Sequence, residues 1–254
     1  LKSPPFILSR YSEVFGFGDL IRQGGQVEEE FLLMDIILNP HIIPHYVSYA
    51  FLASIVLIAV AFVLRGSLAL VPRGIQNLVE VIVEALLRLS EDNIGHHWGK
   101  HFLPLIGTLG LYILLCNFMG LIPGFSSPTS NINTTASLAV PVFLATHYYG
   151  IRVHGMRYIN HFLGPIRSIA AFPLMVMMFF IELIGHIARP LTLSVRLFGN
   201  MVSKHLILIV LAILAPAIIP TAILGLGVLV SVVQAFVFVL LTTLYLAGAV
   251  EEAH

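Results

Sequence analysis

Twenty-one consecutive residues, PHYVSYAFLASIVLIAVAFVL at 44–64, contain no Asp, Glu, Lys or Arg. A bilayer core about 30 Å thick is crossed by roughly 20 apolar helical residues, so a run of this length constrains the fold more than any local motif. It is not isolated. Further long apolar runs lie at 102–122, 134–150, 168–212 and 217–249, that at 134–150 less hydrophobic than the rest and interrupted by Pro141. With 58% apolar and only 10% charged residues, the composition is that of an integral membrane protein. Thirteen basic and thirteen acidic residues cancel, leaving no global field to attract nucleic acid. Cys116, the single cysteine, sits within an apolar run and reads as a small core residue.

The expected fold is all-α: five transmembrane helices and one amphipathic surface helix. The surface helix is placed at 74–93, where Gln76, Glu80, Glu84 and Arg88 recur every four residues and make one face too charged to cross. Glu84 and Arg88 stand one turn apart there. The domain organisation is a tail at 1–43, a first transmembrane helix at 44–64, the surface helix, and a four-helix membrane domain over 101–254. The 168–212 run is too long for one upright crossing, since at 1.5 Å per residue it would extend about 67 Å. It must tilt, bend at Pro173 or Pro190, or lie partly in the interface.

Basic residues orient the chain. Arg65, Arg73, Arg88 and Lys100 lie in the 65–101 connection and Arg152, Arg157 and Arg167 in 151–167, which places both in the cytoplasm. The connections at 123–133 and 213–220 carry no Lys or Arg, and the tail carries Glu28, Glu29, Glu30 and Asp35. The N-terminus is therefore expected outside and the C-terminus inside. The first forty residues show no compact basic, apolar and small-residue order of a signal peptide.

The stretch RPLTLSVRLFGNM, 189–201, puts two arginines inside apolar sequence. On a helix advancing 100° per residue, Glu182, His186, Arg189, Arg196, Asn200, Ser203 and Lys204 fall within an arc of about 100°. Charges inside a membrane helix each cost about 2.5 to 3.5 kcal/mol on insertion scales, so seven aligned polar groups must face water, protein or both. His205 lies off this stripe, toward neighbouring helices. Glu182 and Arg189 read either as an ion pair two turns apart or as a helix end near the headgroups. Lys204 reads as a channel-mouth charge or, more simply, a snorkelling lysine. Arg196 is different: the nearest acid along its helix is Glu182, about 21 Å away, and none follows before Glu251. Its compensating carboxylate is expected on another subunit, or water reaches it. Gln234 enters the membrane to a similar depth on the last helix, as a hydrogen-bond partner of Arg196 or as a helix-packing contact.

RPLTLSVRLFGNM followed by VQAFVFVLLTTLYL at 233–246, together with YILLCNFMGLIPG and PTSNINTTASLA, resembles the stator subunit a family of F-type ATP synthases. The resemblance runs from about residue 30 to the end. It implies one transmembrane and one surface helix followed by four membrane helices, the last two forming a long tilted hairpin against a ring of c subunits. It implies a subunit without its own ATP site or cofactor, held by the subunit b peripheral stalk in the energy-coupling membrane, expected to be the bacterial inner membrane. The family's essential arginine falls on Arg196, its companion asparagine on Asn200, its late-helix glutamine on Gln234, and its Glu or His position on His205. Two positions depart: Gly227 stands where some relatives carry His or an acid, and Gly120, after Asn117, replaces an acid. The implied outer pathway leans on His205, Asn131, Asn133 and water, with Asn117 nearby and Glu182 and His186 toward the exit.

Intramembrane charges also suit a secondary transporter or a cation channel, but the halves show no internal repeat. Neither G-x-S-x-G nor H-E-x-x-H occurs. His97 with His101, and His41 with His45, have the i, i+4 spacing of metal ligands, but each pair falls near an expected interface, where histidines are ordinary.

Overall fold

The computed structural model describes residues 44–66, 74–122, 125, 127–155, 172–214 and 218–250. The tail at 1–43, with His41, and the loop residues Arg73, Arg157 and Arg167 lie outside the described residues. Among the described residues six helices follow one another: α1 His45–Gly66, α2 Ile75–Ile94, α3 His96–Met119, α4 Ile132–His154, α5 Phe172–Leu214 and α6 Ile218–Val250, with a 3-10 turn Pro128–Ser130 before α4. No strand occurs among the described residues.

Four of these helices contain stretches long and apolar enough to cross a membrane: α1, α3, Met175–Ile207 of α5 and Leu224–Val250 of α6. The fifth expected span, α4, is a helix of 23 residues but does not reach that apolarity. Its place in the fold explains why. It packs against α5 and α6, and Thr134, Thr135 and Thr146 are buried there. Thr146 donates to the Val142 carbonyl at 2.8 Å, and Thr135 shares a hydrogen bond with Ser194 of α5 at 3.0 Å. A packed helix face can carry such hydrogen-bonded groups, while Val140, Leu144, Tyr148 and Ile151 keep the other face of α4 exposed and mainly apolar.

The α2 helix has the expected mixed character, with Glu84 and Arg88 paired at 2.6 Å on its exposed face. Its other face packs on α3 and α6, with Leu86 and Leu89 against a buried cluster of Phe102, Ile106, Val239 and Leu246. The α2–α3 connection is a single residue, Gly95, at φ 89°, a backbone region that disfavours side chains. So α3 begins at His96 rather than near 101, because His96, His97 and Lys100 continue the helix although they interrupt the apolar run. Gly99 then comes so close to α2 that a Cβ there would stand 2.9 Å from the Glu91 backbone, and Ser90 donates to the Gly99 carbonyl at 3.1 Å. Gly99→Ala is expected to force the two helices apart, costing about 1 to 3 kcal/mol. Gly107→Ala, on the same helix with open space around it, is the control. Thermal unfolding of the detergent-solubilised protein should come several degrees earlier for the first and be unchanged for the second.

Residues of α3, α4, α5 and α6 meet in a core of Leu109, Ile113, Ala139, Val142, Leu193, Leu197, Ala235 and Phe238. The α1 helix docks on α3 through Tyr49 and Ala53, which meet Cys116 and Met119. Phe51, Ile55, Phe62 and Val63 of α1 are exposed, as a lipid-facing surface requires.

The α5 helix is one continuous element of 43 residues, unbroken at Pro190. At 1.5 Å per residue that is about 64 Å, twice the hydrocarbon thickness. Pro173 stands at its second residue, where a missing N–H is harmless.

Candidate functional site

The polar stripe of α5 lies along the boundary between its packed and open faces. Leu193, Leu197 and Met201 are buried against the other helices, while Arg196, Asn200 and Ser203 are exposed. On the inner edge of the stripe, His186 and Lys204 are buried. One face of α5 thus serves two surroundings: the protein's own interior, and whatever covers the exposed side.

Arg196 makes no hydrogen bond or ion pair among the described residues and projects from an exposed face otherwise carrying Leu191 and Val195. The expected contact with Gln234 is replaced. Gln234, buried on α6, accepts a hydrogen bond from the Asn200 side chain, one turn along from Arg196. Asn200 is the shorter side chain and sits where α5 and α6 meet, whereas Arg196 points off the stripe's open edge. The Asn200–Gln234 bond therefore ties the two helices together beside Arg196 and leaves the guanidinium outside the pair.

Glu182 and Arg189 do not form the ion pair considered from the sequence. Glu182 Oε1 lies 3.2 Å from Nε2 of His186, and the Arg189 guanidinium stacks 5.4 Å over the ring of Tyr245 on α6. A cation over an aromatic face finds partial compensation for its charge within the chain.

Lys204 does not snorkel. It is buried, and its Nζ has no hydrogen-bond partner among the described residues. Its stem passes Gly227 of α6, where a Cβ would meet Lys204 Cδ at 3.4 Å and Leu121 Cδ2 at 2.7 Å. A side chain at 227 would thus collide with Leu121, while the Lys204 stem lies beside the glycine at van der Waals distance. His205, next in sequence, has its Nε2 buried without a partner among the described residues. An ammonium enclosed this way costs several kcal/mol unless a charge or water compensates it, so the sequence reading undervalued this residue. The signal was available: Lys204 shares the stripe with Arg196, and position 227 is a glycine.

The three asparagines expected near the outer pathway do not converge on one site. Asn117 is fully buried and committed: its Oδ1 accepts from Thr129 at 2.9 Å, its Nδ2 donates to the Ser231 carbonyl, and Ser231 donates back to the Asn117 carbonyl, both at 3.4 Å. It clasps α3 to α6. Asn131 caps α4, its side chain accepting from the Asn133 N–H at 2.9 Å. Asn133 lines a cavity of about 380 Å³ with Tyr46, Ser54, Tyr112, Thr134 and Ser137, between α1, α3 and α4. His101, one of the residues at metal-ligand spacing, lies 2.9 Å from the Tyr149 hydroxyl in a ring cluster with Trp98 and Phe102. No group of three metal-ligating side chains occurs among the described residues.

Comparison with known proteins agrees with this geometry. Residues 47–247 match the family model described as ATP synthase A chain. The chain is 48% identical over 208 residues to a protein of Pelobacter propionicus named ATP synthase subunit a 1, covering 82% of this chain and 88% of the relative. Identity is 47% to ATP synthase subunit a of Geobacter sulfurreducens and 49% to that of Citrifermentans bemidjiense, over the same shares. With the match running from the first described helix almost to the end of the last, the chain belongs to the ATP synthase A chain family, the subunit a of the ATP synthase membrane sector.

Proposed function

We propose that this chain, as the stator subunit of an F-type ATP synthase, offers two proton half-channels to a rotating ring of c subunits, with Arg196 as the barrier between them. The single observation that carries the reading is the position of Arg196. It sits midway along a helix that runs through the hydrocarbon, on an exposed face, with no partner among the described residues. Such a charge calls for a carboxylate that comes from elsewhere. A guanidinium is protonated at every accessible pH, so it cannot relay a proton, but it favours the ionised form of a carboxylate passing it. A proton entering from outside would ride the ring and be released as its carrier returns to Arg196. Each proton crossing 100 mV yields about 2.3 kcal/mol, so a leak past this point would be costly.

The remaining assignments follow from depth along α5. Lys204 and His205 lie outward of Arg196, with His205 about 13 Å along the helix, and serve the entry side. An imidazole has two ring nitrogens, one able to accept a proton while the other donates, which suits a relay. Glu182 and His186 lie inward and serve the exit. Asn200 and Gln234 hold α5 and α6 in register beside Arg196. Asn133 and the cavity it borders line the outer vestibule, with Asn131 at the cap of α4 two residues away and Asn117 bracing α3 against α6. The topology is five crossings, α4 included because it is packed among the others, with α2 on the cytoplasmic surface, the tail at 1–43 outside and the C-terminus inside. In this arrangement α5 and α6 form the tilted hairpin against the ring, 101–254 is the membrane domain, subunit b joins the stator, and the membrane is the bacterial inner membrane.

Purification in mild detergent tests the reading. The chain should bring with it a ring of small subunits and an ATPase, and vesicles containing the complex should take up protons when ATP is added. Isolation alone or as a homo-oligomer, without ATPase, would contradict it. Within such vesicles His205→Ala is expected to slow proton flow several-fold and to alter its pH profile. An unchanged profile removes His205 from the pathway.

A further inference from the structure

Loops usually run over a protein's surface, but the α3–α4 connection is driven into the bundle. Ser127, Pro128 and Thr129 are all buried, and the turn Pro128–Ser130 packs on α1, α3, α4 and α5. Gly120 makes the room on the α3 side, since a Cβ there would stand 2.5 Å from that of Ser127. Hydroxyls carried this deep need partners.

The hydrogens among those partners can be assigned one by one. Oδ1 of Asn117 can only accept, so the Thr129 hydroxyl commits its single hydrogen there, at 2.9 Å. The contact of Thr129 with Ser127 at 2.7 Å is then made by the Ser127 hydrogen, which also has the Cys116 carbonyl 3.0 Å away. With Oδ1 held in this way, Nδ2 of Asn117 faces α6 and donates to the Ser231 carbonyl at 3.4 Å. The reverse orientation of the amide would bring two acceptors together at that contact. Thr129 thus decides which end of the amide α6 meets.

The same face of α6 carries Gly227, Ser231 and Gln234, spaced by four and three residues. Gly227 lies beside the Lys204 stem and Leu121, and Gln234 accepts from Asn200. The Pro128–Ser130 turn therefore packs on α5 directly and grips α6 through Asn117. Resting on the reading of α5 and α6 given above, we propose that Thr129 is a positioning residue for proton entry: it holds the Asn117 amide in the orientation that keeps the Gly227–Ser231 turn of α6 beside Lys204. The acting group is Lys204, and Thr129 works on it from a third element of the fold.

The intact complex, reconstituted in vesicles and confirmed to assemble, supplies the test. Thr129→Val keeps the shape and loses the hydrogen, and is expected to pump protons at least three-fold more slowly than the parent. Thr129→Ser restores the hydrogen and should pump at the parental rate. So should Thr242→Val, whose buried hydroxyl donates to the Phe238 carbonyl of its own helix at 2.8 Å. The deciding readout is Lys204→Met with and without Thr129→Val: when Thr129 acts through Lys204, the double variant is no slower than Lys204→Met alone. Losses that multiply would mark a merely structural bond and overturn the proposal. Thr129→Val at the parental rate would overturn it too, as would Thr129→Ser or Thr242→Val as slow as Thr129→Val. Should Thr129→Val fail to assemble, Thr129→Cys, whose thiol donates only weakly, takes its place under the same outcomes. The parent, Arg196→Ala and Lys204→Met, run in parallel, keep two questions apart. If the parent fails to pump, Arg196→Ala pumps normally or Lys204→Met is silent, the reading of α5 fails and takes the proposal with it. If these behave, a contrary result at Thr129 lies with the positioning role alone.

Discussion

Replacing Arg196 by alanine is expected to abolish proton-coupled ATP synthesis, by at least a hundred-fold, while the complex still assembles. The expectation rests on an asymmetry within one helix. Arg189, seven residues earlier, is compensated inside the chain by the ring of Tyr245, and Glu182 has its contact with His186. Arg196 has no such contact among the described residues and stands on the open side of α5. Its removal costs the folded subunit little, since none of the described residues holds it, but deprives a passing carboxylate of the charge that makes it release its proton. Synthesis driven by an imposed proton gradient in reconstituted vesicles is the measurement. Near-normal coupled synthesis by Arg196→Ala would remove the basis of the mechanism. Arg196→Lys should be almost as poor, because an ammonium on a flexible stem can lose its proton when desolvated and then leak.

The second large effect is expected at Lys204. Lys204→Met keeps the stem that fills the space beside Gly227 and removes only the buried ammonium. If the ammonium were a passive charge reaching for the headgroups, its loss would be silent. Buried as it is without a partner among the described residues, it is maintained at a cost, and methionine there should make the subunit no less stable. Proton uptake from the outer side should nevertheless fall about ten-fold. Normal uptake with a more heat-resistant complex would make Lys204 an unused cost, and the entry side would rest on His205.

The positions of the helices were legible in the sequence because hydrocarbon imposes one rule on every residue. The run at 44–64 became α1 within two residues at either end, and 217–249 became α6 within one. Where that rule weakens, the reading weakened too. One face of α4 packs on α5 and α6, so the threonines there answer to hydrogen-bond partners rather than to lipid. The start of α3 was placed late because His96, His97 and Lys100 end an apolar run without ending a helix.

The site divides in the same way. Helical spacing alone put Arg196 and Asn200 on one stripe and gave Arg196 no acid nearby, and both features hold in the fold. Spacing along one helix cannot say which residues meet across two. Thus Gln234 pairs with Asn200 and not Arg196, and Thr129 was passed over because its partner Asn117 is on another element. Asn117 and Asn131 look like pathway residues in sequence; in the fold the Asn117 side chain clasps α3 to α6 and the side-chain oxygen of Asn131 caps α4.

A structure of the whole membrane sector, determined with the ring in place, tests the central claim most directly. A ring carboxylate should face the Arg196 guanidinium near the middle of the membrane, in direct contact or through one water, across the exposed face of α5. An Arg196 that instead faces lipid, or is paired with an acid of its own chain, would contradict it.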